Sequence, residues 1–357
     1  MITPGAPTPR RIPPGAPTLR RIRPGAASPG TPPGAPPPGK SRRVLDDEAG
    51  VLAGLVVVAL IFGALIGPQF FRAANLELMA RQTVIVCAAA LGMTMVIVSG
   101  GIDLSVGSVV ALSTVVTALL LNRQMGPAVS AVGAIVAGAL CGAANGLLIT
   151  RLRVVPFIVT LGTMLLVRGA AKGLAGERRI EAPITWLNNL LRTVRDGSGV
   201  LLPTGIWLTL ALAIVVALTL RYTRFGRHLF AIGSSERTAR LCGVRINRTK
   251  VAVYAIAGAC AALAGVMEFS KLSVGDPTVA VGLELDVIAA VIIGGGSLSG
   301  GKGSVVGTIA GAAIMAVIQI GCSQQGLPNW VQQIVTGSII VGAVALDRWR
   351  SAEIARS

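Results

Sequence analysis

The chain has 357 residues, of which 53% are apolar and only 13% charged, with 32 Lys and Arg against 15 Asp and Glu. Soluble domains carry about 25% charged side chains, so the missing polar surface faces lipid and a soluble globular protein is excluded. The net charge of +17 could suggest nucleic acid, but the basic residues gather on no single aromatic-bearing face. They sit in the amino-terminal tail and in short stretches between apolar runs, so no nucleic-acid partner is expected.

Residues 1–43 differ from the rest. They hold 13 of the 20 prolines and a degenerate ten-residue repeat, Pro4-Gly5-Ala6-Pro7-Thr8-Pro9-Arg10-Arg11-Ile12 followed by Pro14-Gly15-Ala16-Pro17-Thr18-Leu19-Arg20-Arg21-Ile22. Such a segment buries too little apolar surface to offset its ordering entropy, and reads as a disordered cytoplasmic tail. It lacks the continuous apolar run and small-residue cleavage site of a signal peptide. Contact with anionic lipid and service as a plain spacer are both open to it.

From Val51 onward, apolar stretches recur at the length that crosses a bilayer, about 20 helical residues. The pattern predicts an all-α polytopic membrane protein of about ten transmembrane helices: 49–67, 77–98, 104–122, 127–149, 156–174, 203–220, 249–271, 284–297, 304–321 and 329–346. The eighth is short and breaks at a glycine cluster. The transmembrane domain is placed at 44–350, with a short cytoplasmic tail at 351–357. Positive charge between spans sets the orientation. Arg151 and Arg153, the stretch Arg221 to Lys250 and the tail after Asp347 fall on one side, which places both termini in the cytoplasm. Loop 172–202 runs against this rule, and its stretch Ile184 to Leu191 predicts a small surface helix. Arg81, Arg168 and Lys271 fall near outer span ends and are expected to snorkel to the headgroups.

Two glycine-rich breaks interrupt the pattern. Gly100-Gly101-Ile102-Asp103-Leu104-Ser105-Val106-Gly107-Ser108-Val109-Val110 joins the second and third spans. Gly294-Gly295-Gly296-Ser297-Leu298-Ser299-Gly300-Gly301-Lys302-Gly303-Ser304-Val305-Val306 joins the eighth and ninth. They match as Gly-Gly-x-x-Leu-Ser followed by Gly-Ser-Val-Val, which reads as an internal repeat of the kind found with interrupted helices in transporters. Gly100, Gly101, Asp103, Ser105, Asn145, Thr160, Gly294, Gly295 and Ser297 are the candidates for the transport pathway or for the packing around it. Gly296 to Lys302 also fits G-x-x-x-x-G-K, but Gly303 stands where a phosphate loop needs Ser or Thr, so nucleotide binding is not expected there.

The acids near apolar segments, Asp103, Glu268, Glu284 and Asp286, lie at span ends, where capping or interfacial roles suit them. Cys87, Cys141, Cys242, Cys260 and Cys322 show neither metal-ligand nor disulfide spacing, and His228 is the only histidine. No metal, cofactor or catalytic constellation is expected. In the long inside loop, Gly233-Ser234-Ser235-Glu236-Arg237-Thr238-Ala239-Arg240-Leu241-Cys242-Gly243-Val244 reads as a short helix. Ser234 or Ser235 can cap it, Glu236 suits its positive end and Gly243 can close it. A helix with so few apolar residues is marginal alone and suits docking onto a partner.

These motifs together resemble the permeases of bacterial ATP-binding-cassette importers for ribose, xylose, arabinose, galactose and related solutes. The residues that carry the resemblance are Gly100 to Gly107, Asn145-Gly146, Pro156-Phe157-Ile158-Val159-Thr160-Leu161-Gly162-Thr163, Arg224-Phe225-Gly226 with Ala231-Ile232-Gly233, Leu283-Glu284-Leu285-Asp286-Val287-Ile288-Ala289-Ala290-Val291, and Gly294 to Gly303. It runs from about residue 50 to 347 and leaves out the proline-rich tail. It implies a non-catalytic transport subunit in the plasma membrane, paired with a second permease subunit, a cytoplasmic ATPase and an extracytoplasmic solute-binding protein. It also implies that 234–243, comprising Ser234, Ser235, Glu236, Arg237, Thr238, Ala239, Arg240, Leu241 and Gly243, is the ATPase-coupling helix. Arg237 and Thr238 stand where family members usually carry small residues. A secondary transporter or channel working without an ATPase is the alternative.

Overall fold

The structure, a computed structural model, describes residues 40–192 and 202–356. The proline-rich repeat therefore lies outside the described residues. The chain divides into two units, Met1–Arg42 and Arg43–Ser357, and the second is described here.

Its helices are α1 (Lys40–Ile66), α2 (Ala73–Val98), α3 (Val106–Asn122), α4 (Pro127–Leu152), α5 (Pro156–Ala175), α6 (Thr204–Tyr222), α7 (Arg224–Ser234), α8 (Glu236–Leu241), α9 (Ile246–Leu272), α10 (Leu283–Ile293), α11 (Val305–Gln324) and α12 (Asn329–Arg356). Among the described residues, seven are long and apolar enough to cross a membrane: the Glu48–Ile66 part of α1, then α2, α4, α5, α6, α9 and α11. The chain is thus an all-α, multi-pass membrane protein. The other three expected spans are helical but differ in kind. α3 is a short apolar helix of 17 residues. α10 has 11 residues, roughly 16 Å at 1.5 Å per residue, against a hydrocarbon core of about 30 Å. It ends at Ile293 because Gly294 opens the second break. α12 extends the last expected span to Arg356.

Helix starts follow local chemistry. Pro127 and Pro156 occupy the first turns of α4 and α5, where no backbone N–H is needed. The Ser304 hydroxyl accepts the Gly307 N–H at the start of α11 (3.2 Å).

α2 is the central helix, buried without interruption from Val84 to Val98. α9, α11, α10 and α6 pack around it. α9 meets α4 backbone to backbone. Gly138, Gly142 and Gly146 recur every fourth residue along α4 and face Tyr254, Gly258, Val251 and Ala262 of α9. A Cβ at Gly142 would overlap the Tyr254 carbonyl oxygen. Between apolar helices in lipid, this close approach supplies the association that water would otherwise drive. α1 leans on α11, with Val51, Leu55, Val58 and Phe62 against Ile314, Ile318 and Cys322.

At the end of the fold opposite the breaks, two-residue strands β1 (Ile180–Glu181) and β2 (Val274–Gly275) pair antiparallel, an addition to the all-α expectation. Arg179 and Asp276 form an ion pair beside them at 2.7 Å. Burial pushes the Asp276 carboxyl upward, but its hydrogen bonds from Thr278 and Arg179 outweigh this and leave it below its ordinary value. The expected surface helix at 184–191 is a single 3-10 turn, Trp186–Asn189, capped by Thr185. It exposes Ile184 and Trp186 and buries Leu187, Leu190 and Leu191, with Leu187 and Leu190 against Val266 and Phe269 of α9.

Candidate functional site

Where α2 ends, the backbone turns at Gly100 (φ +77°). The first break is then held by side chains from three other helices. Asp103 Oδ1 accepts the Ser105 N–H at 2.8 Å and the Ser105 hydroxyl at 2.6 Å, which closes a turn into α3. Asn145 of α4 donates from Nδ2 to Ser105 Oγ (2.9 Å) and to Asp103 Oδ1 (3.5 Å). The Ile102 carbonyl accepts from Tyr254 Oη of α9 (3.1 Å) and Thr160 Oγ1 of α5 (3.3 Å). Protein groups, not solvent, thus satisfy the irregular backbone of this break. Asp103, Ser105, Asn145 and Thr160 are all at most 2% exposed. In this conformation they are a packed polar knot, not the lining of an open cavity.

The second break runs from Gly294, packed against Gly307, through Gly295, Gly300 and Gly301, all with positive φ. The Ser297 and Ser299 hydroxyls hydrogen-bond at 2.8 Å, and the Gly300 N–H donates to the Ser297 carbonyl at 2.9 Å. The Gly301 N–H donates to the Val98 carbonyl at 2.9 Å, so this break is tied to the end of α2.

The loop after α6 forms two helices where one was expected. The Thr223 hydroxyl caps α7 by accepting the Gly226 N–H (3.1 Å), and Ser234 is the last residue of α7. Ser235 is the cap of α8, accepting the Thr238 N–H at 3.3 Å. Gly243, with φ +80°, turns the chain toward α9. Ala239 packs inward with Ile232 and Ile246, whereas Arg237, Arg240 and Leu241 face outward, Leu241 being 83% exposed. Glu236 accepts from Lys250 Nζ at 2.7 Å and from Arg240 at 3.3 Å. The Lys250 hydrogen bond, aided by the Lys250 and Arg240 charges and opposed by burial, holds its carboxyl below the ordinary value.

The three segments meet at Gly233, two residues before the α8 cap. A Cβ there would overlap the Val98 carbonyl and the Gly301 nitrogen, and one at Gly300 would come within 3.0 Å of Gly100 Cα and 2.8 Å of the Gly233 carbonyl. The junction α7–α8 thus seats directly on both breaks. Gly100, Gly101, Asp103, Ser105, Asn145 and Thr160 form the first break and its braces; Gly294, Gly295 and Ser297 belong to the second. Residues 235–243 carry α8. Gly233 as the contact point, Lys250 and Tyr254 were missed as site residues. Tyr254 had a signal, since a phenol inside an apolar span needs a hydrogen-bond partner. Gly233 had only its place between two caps.

Other expected positions resolve differently. The Arg168 guanidinium donates to the carbonyls of Pro277 (3.2 Å), Val279 (2.6 Å) and Ala280 (3.5 Å). Lys271 likewise turns to Gln82 Oε1 (3.0 Å) and Glu268 (3.4 Å). Asp286 accepts from Gln319 at 2.5 Å, and Glu284 stands in the first turn of α10. The second break follows the helix α10 and no strand, which removes the context a phosphate loop requires. Among the described residues, no group of three His, Cys, Asp or Glu is placed to hold a metal ion.

Residues 75–344 match the family described as branched-chain amino acid transport system / permease component. The ribose import permease protein RbsC of Escherichia coli (strain K12) is 36% identical over 303 residues, covering 85% of this chain and 94% of that protein. The RbsC of Bacillus subtilis (strain 168) is 38% identical over 307 residues, with the same coverage. The fructose import permease protein FrcC of Rhizobium meliloti is 34% identical over 302 residues, covering 83% of each chain. No solved structure matches the chain.

Proposed function

The chain belongs to the family of branched-chain amino acid transport system permease components, and from that premise we propose that it is the membrane subunit of an ATP-driven importer for a monosaccharide. The sugar reading rests on the relatives, two named for ribose and one for fructose. The subunit is non-catalytic, pairs with a second permease subunit, and works with a cytoplasmic ATPase and an extracytoplasmic solute-binding protein. Both termini are cytoplasmic. It has ten membrane-inserted helices, the seven full spans with α3, α10 and α12, and α10 enters only part way. The two breaks mark an internal repeat, each following a helix end and leading into a helix that opens on a Gly-Ser-Val-Val motif.

One observation carries the mechanism: α8 presents Arg237, Arg240 and Leu241 outward while Gly233 seats its base on both breaks. A push on α8 from a closing ATPase pair would reach the end of α2 and the second break through backbone contacts at Gly233. Alternating access follows if those ends tilt together. A secondary transporter would have no use for such a docking helix, and the relatives do not favour that reading.

The test is ATP-driven sugar uptake in proteoliposomes holding the full chain and its ATPase. Replacing Glu236 and Arg240 together by Ala should lower uptake on the order of tenfold, about 1.4 kcal/mol of coupling, with membrane insertion intact. Uptake that persists with no nucleotide-binding partner would instead promote the secondary transporter.

A further inference from the structure

Two adjoining clefts, of about 350 and 360 Å³, lie between α7, α8 and the start of α9 and share Arg245 and Arg248. The first is completed by Arg240, Val244, Ile246 and Asn247, the second by Phe225, His228, Gly243, Thr249 and Ala252. Two arginines therefore line both hollows, with Arg240 at the first. Among the described residues, Arg245 and Arg248 have no ion pair or side-chain hydrogen bond. The one carboxylate on these elements, Glu236, is already taken by Lys250 and Arg240.

Position narrows the occupant. α9 has 27 residues, roughly 40 Å of helix against a hydrocarbon core of about 30 Å, so its first turns stand at headgroup level. α7 begins two residues after α6 ends at Tyr222, buries Gly226, Leu229 and Ile232, and exposes Arg224 and Arg227. It has the form of a helix lying along the membrane surface. The cleft between them thus offers unpaired cations at headgroup level and an apolar wall, Phe225 and Ala252, beside the span. An ATPase surface would use the cations and leave that wall unexplained.

We propose that this cleft binds the phosphate of an anionic phospholipid from the cytoplasmic leaflet, with Arg245 and Arg248 on the headgroup and an acyl chain along Phe225 and Ala252. Juxtamembrane basic residues attract anionic lipid in just this setting, and arginine matches phosphate oxygens two at a time.

The experiment is lipid retention by the purified full chain, read by native mass spectrometry after exchange with phosphatidylglycerol or with phosphatidylcholine of the same chains. Wild type should retain phosphatidylglycerol selectively. Arg245→Gln with Arg248→Gln should weaken retention on the order of tenfold, Arg248→Gln alone less, and Arg151→Gln, at the end of α4, not at all. The single variant keeps the test open if the double one fails to fold. Equal retention of both lipids, unchanged retention in the Arg248 variants, or equal loss in Arg151→Gln would overturn the proposal. Full displacement by glycerol 3-phosphate would also overturn it and identify a free-anion site. Loss of the ATPase with lipid retention unchanged would make the cleft a protein contact.

Discussion

Single glycines decide whether neighbouring backbones can touch. At Gly233 the space for a Cβ is already filled by the Val98 carbonyl and the Gly301 amide. Gly233→Ala must therefore push the α7–α8 junction off both breaks, an overpacking cost of about 1–3 kcal/mol. Gly162 of α5 has nothing within 4 Å of the same position, so Gly162→Ala should leave stability within about 0.5 kcal/mol. Measured side by side, Gly233→Ala should lose ATP-driven uptake while Gly162→Ala keeps it. If both variants insert normally and transport equally, the junction does not transmit motion. A transport loss confined to Gly162→Ala would instead point to a second chain packed on α5.

At the scale of one element, α8 is six residues long and too short to stand by propensity alone. It depends on the Ser235 cap, on Ala239 packed against Ile232 and Ile246, and on the Glu236–Lys250 pair. Ser235→Ala removes the cap at a cost of about 1 kcal/mol and should raise amide exchange across 236–241, read by hydrogen–deuterium exchange. The pH dependence has a definite sign. The Glu236 carboxyl sits below its ordinary value in the folded chain, so its contribution is complete above the ordinary glutamate range of about 4 and is lost as pH falls through the lowered value. Exchange protection of α8, corrected for intrinsic rates, should thus be flat through neutral pH and fall only in acid. Lys250→Met should move that fall to higher pH; a fall between pH 6 and 8 would mean another group governs the docking of α8.

At the scale of the whole molecule, orientation can be read from a native thiol. Cys242 is exposed between α8 and α9, Cys87, Cys260 and Cys322 are buried, and Cys141 is half-buried. With both termini cytoplasmic, a membrane-impermeant maleimide should leave intact cells unlabelled and react at Cys242 once the membrane is opened. Labelling of Cys242 from outside would invert the topology and place the α8 surface beyond reach of a cytoplasmic ATPase.

Much of this protein was legible in its residues because lipid is a strict solvent. Apolar runs of bilayer length, charge confined to loops and glycine-rich breaks between spans fix an all-α membrane protein and its family motifs with little help from packing. Ser235, Glu236 and Gly243 announced a capped helix because capping is local chemistry. What the sequence could not carry was which segments touch. Gly100, Gly233 and Gly300 are scattered along the chain, and no periodicity reports that their backbones converge. The partners of Arg168 and Lys271 were hidden for the same reason, since only the fold brings the carbonyls of 277–280 and Gln82 within their reach. The shortness of α10 was legible, because its apolar run breaks at Gly294-Gly295-Gly296, although the helix stops at Ile293 and not at the expected 297. Composition and local pattern determined that the chain lives in a membrane and where its helices start. Long-range contact alone decided that two breaks and a surface helix form one joint, because close backbone approach depends on residues that are neighbours only in space.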